Sequence, residues 1–412
     1  MLQSFYTAFT GLNAEKNWLS VISDNIANVN TIGFKSERAV FEDLLASSLT
    51  TYSNGSPKNL EIGGGVYVSA TAKDFSQGTF MNTNNPLDLA LDGEGFFMVK
   101  ADAGVTYYTR NGQFRLDANG DLINTLGMKI QGWMLDDVGN MSGSIGSVNV
   151  PMSMEPTMTT FVKLKEPSNL DSRASVLPSG GFDPNDSNTY NYVNSVAVYD
   201  SLGNPHTLDL YFVHADAATN SWDVHIYADG DTTTQVGTST LTFDSDGNLT
   251  GGSPTAVSVN LTNGATSPLN INMQFDGMRQ VASDFIFYAE QDGNNKGDIM
   301  AISVSEDGVL KASYTNGKVK DIARLAIATF KDKEMLTRKG GWLYLPNQQT
   351  YTPVIMPGGV ISKVRSGMLE MSNVDIASEF INLITAQRAY QANARVITTD
   401  DQILQETMNI KR

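Results

Sequence analysis

The sequence has no cysteine among its 412 residues. This excludes disulfide bonds, thiolate metal sites and a cysteine nucleophile. Only three histidines are present, His206, His214 and His225, whereas a zinc site needs three or four ligands with supporting partners. We interpret the histidines as strand-surface residues and predict no metal ion and no cofactor.

Long apolar runs and a basic excess are also missing. No run of eighteen apolar residues occurs, so we predict no membrane insertion. The first sixteen residues, MLQSFYTAFTGLNAEK, lack the basic start and continuous apolar core of a cleavable secretory signal. The formal net charge is −16, which argues against a nucleic-acid partner because such a partner needs a basic surface.

The acidic charge is concentrated in the middle of the chain. Residues 151–290 contain sixteen acidic and four basic side chains, whereas residues 1–38 contain three of each. Like charges repel, so the middle segment should be solvated. The near-neutral ends are free to pack densely.

Both ends of the sequence carry apolar residues at a spacing of seven. This period is typical of helices that bury one face against other helices. We predict that the two helices form a coiled-coil polymerisation surface, whose residues are Phe5, Leu12, Leu19, Ile22, Ile26, Phe380, Leu383, Tyr390, Ile397 and Leu404.

Between the helices, apolar residues alternate with polar ones, and 36 glycines mark many tight turns, a pattern typical of β-structure. We predict a mainly β protein with terminal α-helices, in which two nested β-rich domains accompany a helical domain. The predicted domains are residues 1–27 with 373–412 (helical), 28–71 and 364–372 (connecting), 72–150 with 291–363 (middle β) and 151–290 (inserted, acidic, outer β). Within the first connecting segment, residues 37–49 are interpreted as a short helix and residues 51–65 as a loop.

Several acidic motifs have alternative interpretations. Residues 117–121 and 244–248 begin like calcium loops, but the glycine and the terminal glutamate of an EF-hand are not in place. Hairpin turns explain them better, and a solvated loop explains residues 183–188. Asp375 and Glu379 resemble paired carboxylates, but capping of a helix accounts for them. No catalytic residue is therefore predicted.

Three sequence blocks resemble the bacterial flagellar axial proteins, the family of rod and hook subunits. They are SDNIANVNTIGFKSER (23–38), the stretch LDLALDGEGFF through KIQGW (87–133), and SNVDIASEFINLITAQRAYQANARVITTDDQIL (372–404). The family signature residues in these blocks are Asn28, Gly33, Phe34, Lys35, Gln387 and Arg388. The acidic insert is similar to the outer domain of the hook branch of the family.

This resemblance implies an extracellular, non-enzymatic subunit of the flagellum that reaches its place without signal cleavage. It implies a self-assembling curved hollow tube that joins rod to filament and transmits torque as a universal joint. The implied partners are further copies of the chain, the rod, the hook cap, the hook–filament junction proteins and the type III export apparatus. Two alternatives are a distal rod protein and a secreted β-rich adhesin with oligomerising helices.

Overall fold

The computed structural model describes residues 2–45, 47–53, 56–177, 180–347 and 351–410. The chain forms two compact units. Unit 1 comprises residues 1–150, 301–312 and 319–412, and unit 2 comprises residues 151–300 and 313–318. Most described residues between the two terminal helices lie in strands and turns, which confirms the predicted fold class.

The first helix of unit 1, α1 (Leu2–Ala27), lies in the segment 1–27 that was predicted to be helical. It ends where Asn28 folds back, its side-chain amide donating to the carbonyl oxygen of Asp24 at 2.8 Å. The second helix, α2 (Ile376–Ile410), begins after Asp375, whose Oδ1 accepts the N–H of Ala377 at 2.9 Å. This contact is an N-cap and confirms the role predicted for Asp375.

The strands of unit 1 before the insert are β1 (Glu37–Asp43), β2 (Ser47–Ser53), β3 (Ser56–Ile62), β4 (Val66–Lys73), β5 (Phe80–Asn82), β6 (Leu89–Asp92), β7 (Phe96–Lys100), β8 (Thr106–Thr109), β9 (Phe114–Leu116), β10 (Leu122–Asn124), β11 (Lys129–Met134) and β12 (Gly146–Ser147). The helix expected at 37–49 is therefore wrong, as is most of the loop expected at 51–65. β1 pairs antiparallel with β4, and β2 pairs with β3. Pairing between strands outweighs local propensity here; residues 54 and 55 lie outside the described residues.

Unit 2 contains β13 (Ser153–Met154), β14 (Phe161–Leu164), β15 (Ser168–Asp171), β16 (Tyr192–Tyr199), β17 (Pro205–Asp216), β18 (Ser221–Ala228), β19 (Gln235–Phe243), β20 (Leu249–Gly251), β21 (Thr255–Val259), β22 (Leu269–Gln274), β23 (Met278–Val281) and β24 (Ala289–Gln291). A five-stranded sheet, β16 to β20 in sequence order, and a four-stranded sheet, β21-β22-β14-β24, share one apolar core. Trp222, Phe212 and Leu208 from the first sheet lie in it with Ile271 and Met273 from the second. Unit 2 is therefore a two-sheet sandwich.

The remaining strands are β25 (Gly297–Val304) and β26 (Val309–Tyr314), which contribute residues to both units, then β27 (Val319–Thr329), β28 (Leu336–Arg338), β29 (Leu343–Pro346), β30 (Val354–Pro357), β31 (Lys363–Ser366) and β32 (Met368–Glu370). In unit 1 the order β27-β11-β7-β8-β29-β28 forms an antiparallel sheet. One face of this sheet buries a cluster that includes Phe96, Tyr108, Phe330 and Tyr344. This packed face is the β-core of unit 1.

Candidate assembly surface

Helices α1 and α2 lie side by side and antiparallel within unit 1. Ser4 Oγ donates to Asp400 Oδ2 at 2.7 Å near the start of α1, and Asn25 Nδ2 donates to Glu379 Oε1 at 3.1 Å near its end. Between these levels Gly11 faces Asn393, where a Cβ on Gly11 would lie 2.6 Å from the Asn393 amide nitrogen. This close approach explains a glycine inside a helix, where it otherwise costs about 1 kcal/mol relative to alanine.

The residues that join the helices repeat every seven positions, as in a coiled coil. On α2 they form the series 379, 386, 393 and 400, and on α1 the contacts at 4, 11 and 25 fall in one such series. Apart from Ile22, the buried apolar residues on these helices are small: Ala8, Ala14 and Ala386. The seam inside the chain is thus made chiefly of small and polar groups.

Most of the predicted polymerisation residues are not fully buried in the single chain. Ile22 is buried, whereas five others are half-buried: Leu12, Leu19, Ile26, Leu383 and Ile397. Four are more than 40% exposed: Phe5, Phe380, Tyr390 and Leu404. The helix pair therefore leaves much of its apolar surface uncovered in the single chain.

Further apolar side chains on the helices add to that exposed surface. Ile376, which continues the seven-residue series, and Val396 and Ile403, which widen its stripe, are more than 40% exposed. Five apolar residues outside the predicted pattern are also more than 40% exposed: Tyr6, Phe9, Ile381, Ile384 and Met408. The seven-residue rule missed these five because they lie beside the repeating positions rather than on them. A helix that is apolar over much of its circumference has more than one neighbour to pack against.

The signature Gly33-Phe34-Lys35 fixes the end of α1 to the β-structure of unit 1. Gly33 has φ +70°, which suits glycine, and a Cβ there would lie 2.6 Å from the backbone nitrogen of Asn111. The buried Phe34 ring meets Trp342 edge to face, with centroids 5.7 Å apart, and the Arg338 guanidinium lies 5.5 Å from its centre. Arg338 also pairs with Asp24 of α1 at 2.7 Å.

Lys35 belongs to a buried charge cluster centred on Glu370. Its Nζ lies 2.7 Å from Glu370 Oε1, and Arg110 Nη1 lies 3.1 Å from Oε2. The Lys35 ammonium also donates to the Ser76 carbonyl at 2.6 Å, and the Gly78 N–H donates to Glu370 Oε1 at 3.0 Å. Burial lowers the pKa of Lys35, and the charge of Glu370 opposes this shift. The cluster therefore links three parts of unit 1: the segment after α1, which holds Lys35, the end of β8, which Arg110 follows, and β32, which holds Glu370.

Sequence reasoning did not single out Glu370 or Arg110. Arg110 stands in the second resembling block, within YYTRNG, and Glu370 is a lone acid a few residues before α2. Nothing in the local pattern of either residue indicates that it is buried, because the three charges come from segments far apart in the chain. The remaining signature residues, Gln387 and Arg388, are exposed on α2.

The acidic motifs are turns that satisfy their own backbone. Asp117 Oδ1 accepts the N–H groups of Asn119 at 2.9 Å and Asp121 at 2.8 Å. Asp244 Oδ1 does the same for Asp246 and Asn248. Across the described residues, no group of three or more His, Asp or Glu side chains is placed to hold a metal ion.

One of the three histidines differs from the expectation, whereas His206 and His225 are partly exposed in strands. His214 is buried rather than on a strand surface, with its ring stacked 4.7 Å from Trp222 and its Nδ1 2.9 Å from the Ala174 carbonyl oxygen. The consecutive residues Phe212, Val213 and His214 are all buried, so both faces of β17 are covered at that point, and the prediction is wrong there. His206 contacts two carboxylates, with Nδ1 2.7 Å from Asp229 and Nε2 3.4 Å from Asp200.

Neither helix in the described part of the chain is long and apolar enough to cross a membrane.

Comparison with known protein families agrees with this organisation. The sequence model of the flagella basal body rod protein matches residues 5–35, and that of the flagellar basal body rod FlgEFG protein C-terminal matches 365–410. The flagellar hook protein FlgE/F/G D1 domain matches 90–162, and the flagellar basal body protein FlaE D2 domain matches 169–294.

Among solved structures, the crystal structure of Helicobacter pylori flagellar hook protein FlgE2 matches with a TM-score of 0.51 at 15% identity. The match covers 71% of this chain and all of that chain. At this identity the likeness supports the fold alone.

Full-length relatives identify the family. Flagellar hook protein FlgE of Salmonella typhimurium is 33% identical over 420 residues, which cover 99% of this chain and all of the relative. The FlgE of Escherichia coli is 32% identical over 99% of this chain, and that of Borreliella burgdorferi 30% over the whole of it; both relatives are covered completely. The resemblance found in the sequence is confirmed, and the chain belongs to the flagellar hook protein family.

Proposed function

We propose that this protein is the structural subunit of a flagellar hook and that copies assemble through their paired terminal helices. The observation that carries the proposal is the mismatch between the two kinds of helix surface. The seam inside the chain is small and polar, whereas large apolar side chains such as Phe9, Phe380 and Ile384 lie outside it and are about half exposed. Full burial of such a residue is worth about 1.5–3 kcal/mol, so covering its exposed half in an assembly yields about 0.8–1.5 kcal/mol for each side chain. Association of copies is therefore favoured.

The two units have different parts in the proposed tube. The helix pair, with its nearly neutral segments, packs in the interior, where dense contacts between copies need little net charge. Unit 2 contains the acidic segment 151–290, with its excess of twelve acidic side chains, and lies on the outside in water. Charge repulsion between outer domains then keeps them separable as the tube bends.

The finer details follow from family membership and are part of the proposal. The tube is curved and hollow, joins rod to filament outside the cell, and transmits torque while it bends. Its ends contact rod, hook-cap and hook–filament junction proteins, and the chain leaves the cell through the flagellar type III apparatus without signal cleavage. The protein is not an enzyme in this account.

A truncation tests the role of the helix pair. A chain that ends at Asp375 lacks α2 but keeps the β-core of unit 1 and the whole of unit 2; these two parts are called the β-units below. We expect it to remain monomeric in sedimentation at concentrations where the full chain forms polymer, while its β-units keep their thermal transitions.

The matched control removes the outer segment instead. Replacing residues 151–290 by a short Gly/Ser bridge should leave association intact and give a straighter or less stable tube. Polymer formation by the chain without α2 would contradict the proposal, as would complete loss of assembly in the control with folded helices.

A further inference from the structure

A groove of about 780 Å³ runs beside the helix seam in unit 1. Its lining includes Thr7, Gly11 and Glu15 of α1, Asn393 and Val396 of α2, and Gly65. Two further glycine or alanine positions, Gly63 and Ala8, also line it, so the walls are low and a long side chain has room to enter.

Among the described residues that line this groove, Glu15 is the one titratable group. It is half-buried, and its Oε2 is shielded from water and has no hydrogen-bond partner in the described part of the chain. Burial raises the pKa of Glu15. A shielded carboxylate oxygen without a donor is unfavourable unless a cation or donor arrives.

The helix pair carries the complementary charge on other surfaces. Lys16, Arg388 and Arg395 are its basic residues within the described ranges, and all three are exposed. None of the three side chains makes an ion pair or hydrogen bond with a described residue of the same chain. Arg388 and Arg395 are seven residues apart and therefore share a face of α2.

We propose that in the assembled polymer this groove receives a basic side chain from the helix pair of a second copy, which forms an ion pair with Glu15. The inference rests on the proposed self-assembly and names one of its contacts. The donor is Lys16, Arg388 or Arg395 of the neighbouring copy. A guanidinium or ammonium in a partly buried groove forms a charge-assisted hydrogen bond, which is about twice as strong as a neutral one.

Charge reversal at Glu15 is the first test. The full-length chain, Glu15→Gln, Glu15→Lys and the control Asp102→Lys are compared by sedimentation, and the lowest concentration that gives polymer is measured. Asp102 is exposed in the β7–β8 turn, away from the helices. Its replacement by lysine changes the net charge by the same amount as Glu15→Lys. We expect an increase of roughly tenfold or more for Glu15→Lys, a smaller one for Glu15→Gln, and little change for the control.

Mixing variants then shows whether the pair joins two copies. Glu15→Lys is combined with Lys16→Glu, Arg388→Glu or Arg395→Glu, both in one chain and as mixtures of two single variants. The proposal is supported if one of the three partner variants brings the lowest polymer-forming concentration back to within about threefold of that of the unmodified chain. Co-assembly of two single variants places the pair between copies.

The failures are separable. If the unmodified chain forms no polymer, the proposed self-assembly is wrong. If it polymerises but Glu15→Lys does so equally well, or if none of the three reversals restores assembly, the Glu15 pairing is wrong and the self-assembly stands.

Discussion

Ile381→Asp provides the sharpest test of the exposed helix surface. Ile381 lies on α2 and is 65% exposed in the single chain. Full burial of an isoleucine is worth about 1.5–3 kcal/mol, so covering the exposed two-thirds in an assembly contributes about 1–2 kcal/mol. Loss of that term alone raises the concentration needed for polymer by about 5- to 30-fold. An aspartate buried without a partner adds a further cost of several kcal/mol.

The assay separates assembly from folding. Sedimentation gives the polymer fraction against concentration, and thermal melting followed by circular dichroism reports the monomer. For Ile381→Asp we expect polymer to be lost, with unchanged melting of the β-units. The comparison variant is Ala386→Asp, because Ala386 is fully buried in the seam and its replacement should also lower helix content in the monomer. Polymerisation of Ile381→Asp at the unmodified chain's concentration would refute the reasoning.

Three further results are expected. Lys35→Met leaves the buried Glu370 with one cation fewer and should destabilise unit 1 by about 3–5 kcal/mol. The melting temperature of unit 1 should fall while that of unit 2 is unchanged. If the variant and the unmodified chain melt at the same temperatures, the cluster is dispensable. Burial lowers the pKa of His206, but hydrogen bonds to Asp229 and Asp200 outweigh it and raise the pKa above its ordinary value. The stability that the protonated His206 gives unit 2 is therefore complete below the ordinary histidine pKa and is lost as pH rises through the raised pKa. Denaturant unfolding measured from pH 5 to 9 should show this loss of stability in the unmodified chain and not in His206→Gln. Because the seam inside the chain buries few large apolar groups, the helix pair should open easily in the monomer, and protease should trim both helices and stop at the β-units. Equal protease resistance of helices and β-units would contradict this.

The sequence predicted the helices well because their signals are local. The period of seven in each helix and the cap at Asp375 can each be recognised within a few turns of the helix concerned. The same period does not show which residues join the two helices within the chain: Phe5 and Leu12 share a series, and the contacts inside the chain use their neighbours Ser4 and Gly11. Small and polar residues give no hydrophobic signal, although they allow the closest approach between helices.

Other features depend on partners that are distant in the sequence. The segment of β1 was predicted to be helical. Its strand partner β4 begins 23 residues after β1 ends, so the local sequence of β1 does not show the pairing. The Glu370 cluster combines charges at positions 35, 110 and 370, which no window of sequence brings together. Lys35 was found through its family signature, but the reason for its presence, a buried carboxylate, comes from the fold.

Electron microscopy of polymer formed by the purified full-length chain tests the central claim most directly. We expect curved, hollow tubes, with the α1–α2 pairs closest to the axis and unit 2 at the outer surface. A density map that places the exposed side chains of α1 and α2 against helices of neighbouring copies would agree with the account. Straight rods, closed oligomers, or tubes whose helix pairs face solvent would contradict it.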